Sequence, residues 1–138
     1  MSNNPTPNSS EISQMVYVVN LLEEQRKTIS EQLRITENQI SGITVSKKTM
    51  EELQSAENNH EIVIPIGTNA FARAKIIEPD KIIIPIARDM FIEKNLEESI
   101  KIMEERLEAN NKVHAKLIEN YNDISKKIQE IKSQFNQR

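Results

Sequence analysis

The chain has 138 residues, a net charge of −3, 37% hydrophobic but only 4% aromatic residues, and no cysteine. One domain is the natural expectation for that length; disulfides, thiolate metal sites and cysteine nucleophiles are excluded, and a pI near 5.5 argues against nucleic acid as the main partner. With 2 Gly and 5 Pro there is little material for tight turns, so long helices are expected before a compact core.

The opening "MSNNPTPNSS" is polar and proline-bearing and reads as a disordered tail over residues 1–9. No apolar run reaches bilayer length and no signal-peptide pattern is seen, which predicts a cytoplasmic protein with no membrane partner.

A first helix is predicted over 10–58. Its apolar positions alternate at three and four: Ile12, Met15, Val19, Leu22, Ile29, Leu33, Ile40, Ile43 and Met50, with Arg26, Thr36 and Lys47 on the same stripe. That 3.5-residue repeat is the seam of a coiled coil. Ser9 or Ser10 is the expected cap and Asn58–Asn59 the expected stop. Gly42 is a weak point in the helix. Arg26 and Lys47 are expected to carry their charges out of the seam on their apolar stems.

The middle, 61–93, changes character. "IVIPIGTNAFAR" (62–73) and "IIIPIARDMFIE" (82–93) are nearly the same phrase. Each has a β-branched run, a proline at the fourth place, a short polar break and a phenylalanine at the tenth. Phe71, Arg73 and Lys75 alternate against Ala70, Ala72 and Ala74, which predicts a strand with one small face. Glu78-Pro79-Asp80-Lys81 is a turn signal between the copies. Each copy therefore reads as a β-hairpin. Pro65 and Pro85 cannot donate to a ladder and mark a bulge or an outward edge. Four short strands this rich in isoleucine cannot cover themselves, so Ile62, Ile64, Ile66, Phe71, Ile82, Ile84, Ile86 and Phe91 are the expected oligomerisation surface.

A second helix is predicted over 95–137. Its seam runs Leu96, Ile100, Met103, Leu107, Asn110, His114, Leu117, Tyr121, Ile124, Ile128, Ile131, Phe135. Asn95 and Glu98 resemble a capping box. Acid-before-base pairs such as Glu23–Lys27 and Glu108–Lys112 support solvated helix faces. Two helices of ~40–45 residues, each roughly 60–65 Å long, bury their stripes most economically by folding back as an antiparallel coiled coil. Paired positions then carry numbers adding to about 150, placing Thr36 near His114 and Met15 near Phe135. His114 is read as a polar layer that sets register, since the only other histidine, His60, lies far along the chain. The fold class is thus α+β: a long antiparallel two-helix coiled coil with two β-hairpins between the helices.

That order of elements resembles the α-class subunit of prefoldin, a hexameric chaperone. The resemblance is carried by "IVIPIGTNAFARAKIIEPDKIIIPIARDMFIEKNLEESI", by its "PIG", "D-K", "F-I-E-K" and "L-E-E" in order, and by the presence of two hairpins where the β-class has one. It implies two α-class and four β-class subunits whose hairpins form a double intersubunit β-barrel with six coiled coils hanging from it. It also implies clients that are non-native polypeptides, transfer to a group II chaperonin, and no nucleotide or other cofactor. One departure stands out: Ala87-Arg88-Asp89 replaces a loop that commonly holds glycine, and Asp89 is expected to take the left-handed conformation.

At the free tip, "MVYVVNLL" (15–22) has seven apolar residues in eight, while the seam needs only Met15, Val19 and Leu22. Val16, Tyr17, Val18 and Leu21 are surplus. Together with Met15, Val19 and Leu22, and with Ile128, Ile131 and Phe135 opposite, they form the expected client-binding site. The chief alternative is a prefoldin-like adaptor or scaffold subunit without client-holding activity. Lys47–Lys48 and Lys126–Lys127 read as solvated faces, not an RNA site. No Gly-rich phosphate loop, metal cluster or nucleophile constellation is present, so an enzyme is not expected.

Overall fold

The structure is a computed structural model and describes residues 8–56 and 60–136. Six elements follow one another: α1 (Ser9–Leu53), β1 (His60–Pro65), β2 (Phe71–Ile76), β3 (Lys81–Ala87), β4 (Met90–Asn95) and α2 (Leu96–Asn136). The chain divides into two compact units. A terminal unit holds Met1–Gln39 with Asn110–Arg138, and a hairpin unit holds Ile40–Ala109.

In the terminal unit, the seam positions read from the sequence are the ones turned inward. Ile12, Met15, Val19, Leu22, Arg26, Ile29, Leu33 and Thr36 are buried or half-buried on α1, as are Asn110, His114, Leu117, Tyr121, Ile124, Ile128, Ile131 and Phe135 on α2. Cross-helix contacts confirm the antiparallel register. Arg26 Nη1 donates to Ser125 Oγ at 3.4 Å and its guanidinium lies 6.0 Å from the Tyr121 ring centre. Lys132 Nζ is 3.2 Å from Glu23 Oε1. His114 Nε2 meets Glu37 Oε1 at 3.1 Å, beside Thr36. Thr36 is buried and its hydroxyl donates to Gln32 O at 2.8 Å, so the polar layer is internally satisfied. On the outward face of α1, Arg34 hydrogen-bonds to Glu31 and, with its charge, holds that carboxyl below its ordinary range.

The start of α1 departs from expectation. The cap is Asn8, not Ser9 or Ser10: Glu11 N donates to Asn8 Oδ1 at 2.8 Å and Asn8 N to Glu11 Oε2 at 3.3 Å. This reciprocal pair satisfies two donors at once, and a serine at position 9 or 10 has no acid three residues on to complete it.

In the hairpin unit, α1 ends at Leu53 and closes with three-residue turns at Gln54, Ser55 and Ala56. The expected stop at Asn58–Asn59 lies outside the described residues. β1 and β2 pair antiparallel, with Ile62 opposite Ala74, Ile64 opposite Ala72 and Pro65 opposite Phe71. β3 and β4 do the same, with Ile84 opposite Ile92 and Pro85 opposite Phe91. The register then slips by one residue between Pro85 and Ala87. Proline's missing N–H makes that place cheap to leave out of the ladder. The linker turns where expected, with Lys81 N donating to Glu78 O at 3.1 Å.

The two copies of the phrase share strands but not loops. In the first, Gly67 takes φ 124° and Ile66 N closes onto Ala70 O. In the second, Arg88 and Asp89 alone span the strands, and Asp89 has φ 62°. Aspartate tolerates that left-handed geometry because its short polar side chain can bond locally.

Entry to α2 is tied twice. Asn95 Oδ1 accepts Glu98 N at 2.8 Å, as a capping residue should, and Asp80 Oδ1 in the linker turn accepts Leu96 N at 3.3 Å. Among the described residues of this unit, the buried ones are Ile84 on β3 and Leu96, Ser99, Ile100 and Met103 on α2. Arg106 Nη2 holds β3 to α2 by donating to Pro85 O at 3.1 Å.

Candidate functional site

Among the described residues, exposed apolar side chains gather on two surfaces. The first belongs to the hairpin unit. Strand alternation turns the alanine face of β2 inward and leaves Phe71 outward; Phe71 sits with Val63 on one face of its hairpin. The second hairpin repeats this with Phe91 and Ile83, which is 69% exposed. Ile77 and Met90 are also exposed.

The residues expected at the assembly surface differ in exposure. Ile64, Ile66, Ile86, Phe71 and Phe91 are exposed, while Ile62 and Ile82 are half-buried. Ile84 is 1% exposed and belongs to the core of its own subunit. Val63 and Ile83, which lie outside the expected set, are exposed as well. In "IVIPI" and "IIIPI" both strand faces are apolar, so alternation carries no parity. The signal available was the phenylalanine: Phe71 and Phe91 fall opposite Pro65 and Pro85, which puts the odd-numbered residues on the outward face.

The second surface is the end of the terminal unit formed by the start of α1 and the end of α2. Val19 and Ile128 are buried there, and Met15, Leu22, Ile131 and Phe135 are half-buried in the seam. Val16, Tyr17, Val18 and Leu21 are 42 to 65% exposed. One groove lies on each side of the seam. Val16, Val19, Asn20, Lys132, Phe135 and Asn136 line one. Glu11, Gln14, Met15, Val18, Ile131 and Gln134 line the other. The structure therefore brings all ten predicted tip residues to one end of one unit. That end combines an adaptable methionine, Met15, with β-branched Val16, Val18 and Val19, which have modest helix propensity.

Among the described residues no group of three His, Asp or Glu side chains is placed to hold a metal, and no helix is long and apolar enough to cross a membrane.

Two antiparallel helices bracketing two hairpins, with an apolar face left open on each hairpin, define a subunit of the prefoldin-fold class. The chain belongs to the prefoldin family: the model described as "Prefoldin subunit" matches residues 22–138. Its relatives include prefoldin subunit alpha of Methanococcoides burtonii, 28% identical over 117 residues with 85% of each chain covered. Prefoldin subunit alpha of Pyrococcus horikoshii is 24% identical over 132 residues, covering 90% of this chain and 89% of that one. Among solved structures, filamentous PFD from Methanocaldococcus jannaschii, seen by cryo-EM, superposes with a TM-score of 0.69 at 17% identity, covering 83% of this chain and 95% of that one. Membership of this family supports a chaperone-type subunit.

Proposed function

We propose that this chain is the α-class subunit of a nucleotide-independent holdase that works in the cytoplasm. Its hairpins join those of β-class subunits, two α with four β, into an intersubunit β-barrel. The free ends of its helices grip non-native polypeptides and release them to a group II chaperonin. The observation that carries the reading is the cluster of Val16, Tyr17, Val18 and Leu21, exposed between the two tip grooves. A helix pair needs none of these four for its own seam, and clustered apolar surface of this kind is kept in water for a binding partner.

The test replaces Val16, Val18 and Leu21 with serine in the complex reconstituted with a β-class partner. The oligomer mass should stay unchanged while suppression of aggregation of a denatured client falls. Full protection by the triple variant would refute the tip assignment. Absence of protection by the unaltered complex would favour an adaptor role.

A further inference from the structure

The coiled coil of the terminal unit has two flanks, and they differ in chemistry. The first flank carries Val16, Glu23, Ser30 and Glu37 on α1 against Ile118, Ser125 and Lys132 on α2. The cross-helix polar contacts described above (Arg26 to Ser125, Glu23 to Lys132, Glu37 to His114) all reach across this side. On the second flank, α1 presents Gln14, Val18, Leu21, Gln25, Thr28, Gln32, Ile35 and Gln39, which alternate at spacings of four and three. These eight residues are all exposed and none is charged. Charged residues of α1 over the same stretch fall elsewhere around the helix: Arg26 in the seam, and Glu23, Glu24, Lys27, Glu31, Arg34 and Glu37 on the other faces. Opposite them α2 places Gln134, Lys127, Asn120 and Val113, with one charge among four. In a chain that is 28% charged overall, eight uncharged residues on one stripe set this flank apart.

The lane begins at the tip groove, where Glu11 stands beside Met15, Val18 and Ile131, and from Gln14 continues without a charge on α1 to Ile35, which is 45% exposed, and Gln39. We infer that this flank is a docking lane for an extended non-native polypeptide, so that a client held at the tip lies along the coil as far as Ile35 and Val113. The inference rests on the holdase reading and extends its site. Three features select that occupant. The lane is continuous with the tip cluster. Its apolar side chains, Val18, Leu21, Ile35 and Val113, are separated by neutral amides and a hydroxyl, which suits a chain of mixed composition and either sign of charge. Finally, Gln25, Gln32 and Gln39 recur every seven residues, about 10.5 Å along a helix. An extended chain covers about 10 Å in three residues, so each glutamine amide, with donor and acceptor both available, can meet a peptide group of the client in turn. A neighbouring helix, whose main chain is already bonded internally, gains nothing from that ladder.

The experiment uses the full complex with a β-class partner and, as the probe, reduced and carboxymethylated α-lactalbumin, which stays unfolded. Gln25→Glu with Gln32→Glu puts two charges in the lane; Asn38→Glu with Asn122→Glu puts the same charges on outward faces. The lane pair should weaken probe binding about fivefold or more, the scale of desolvating polar groups without partners, and the outward pair should leave it unchanged, with oligomer mass constant in both. A benzophenone side chain at position 32 should crosslink to the probe, and one at position 38 should not. Equal binding by both pairs, or crosslinking from position 32 to a neighbouring subunit instead of the probe, overturns the lane while leaving the tip reading in place. Failure of the unaltered complex to bind the probe removes the holdase reading and the lane with it.

Discussion

Ile83 and Ile84 are neighbours of the same type with opposite expected roles, which makes them a sharp test of how the hairpins work. Ile84 is 1% exposed and sits in a core that includes only Leu96, Ser99, Ile100 and Met103 among the described residues of its unit. Truncating a buried isoleucine to alanine costs about 2–5 kcal/mol, and a core this small has few neighbours able to close the gap. Ile84→Ala should therefore lower the thermal unfolding midpoint of the isolated chain by several degrees. Ile83 is 69% exposed, so Ile83→Ser should leave the isolated chain within about 0.5 kcal/mol of its original stability. If assembly buries Ile83, about two-thirds of a side-chain burial worth ~1.5–3 kcal/mol is lost, roughly 1–2 kcal/mol for each copy. Phe91→Ser on the same face should add a comparable loss, and the double variant should dissociate at concentrations at least tenfold higher. Circular dichroism of the chain alone measures the first quantity, and light scattering of the reconstituted complex across a dilution series measures the second. The reasoning fails if Ile84→Ala melts like the unaltered chain, or if Ile83→Ser with Phe91→Ser leaves the dilution profile untouched.

Two smaller predictions concern the backbone. A Cβ at Gly42 would meet nothing within 4 Å, so Gly42→Ala should stabilise the chain by about 0.5–1 kcal/mol through helix propensity alone, read as a higher denaturant midpoint; an unchanged or lower midpoint would contradict this. Asp89 holds φ 62°, so Asp89→Gly should be neutral or mildly stabilising and Asp89→Val should cost about 1–2 kcal/mol; equal unfolding midpoints for the two would show that the second loop does not impose that geometry.

Much of the fold was legible in residue order because coiled coils and hairpins are periodic. Every position of the alternation from Ile12 to Met50 and from Leu96 to Phe135 is buried or half-buried, although the fully buried Ser99 lies outside it, and antiparallel pairing follows once two such stripes flank a turn-bearing segment. Asn95, the Glu78–Lys81 turn and the left-handed Asp89 were readable for the same reason: each is a local backbone demand met by a particular side chain. The surplus of apolar residues at Met15–Leu22 was also visible, since a seam uses only two positions in seven.

Tertiary structure decided what local pattern leaves degenerate. In "IIIPI" every position is apolar, and only packing of β3 onto α2 distinguishes Ile84, which enters the core, from Ile83, which stays outside. The cap of α1 fell to Asn8, not to either serine, because Glu11 could answer it in a reciprocal contact. The two flanks of the terminal coil became distinct only when Lys132, Ser125 and His114 were seen to reach toward one side of α1. Periodicity assigns a residue to a stripe; which stripe meets protein, solvent or a partner depends on the element packed against it.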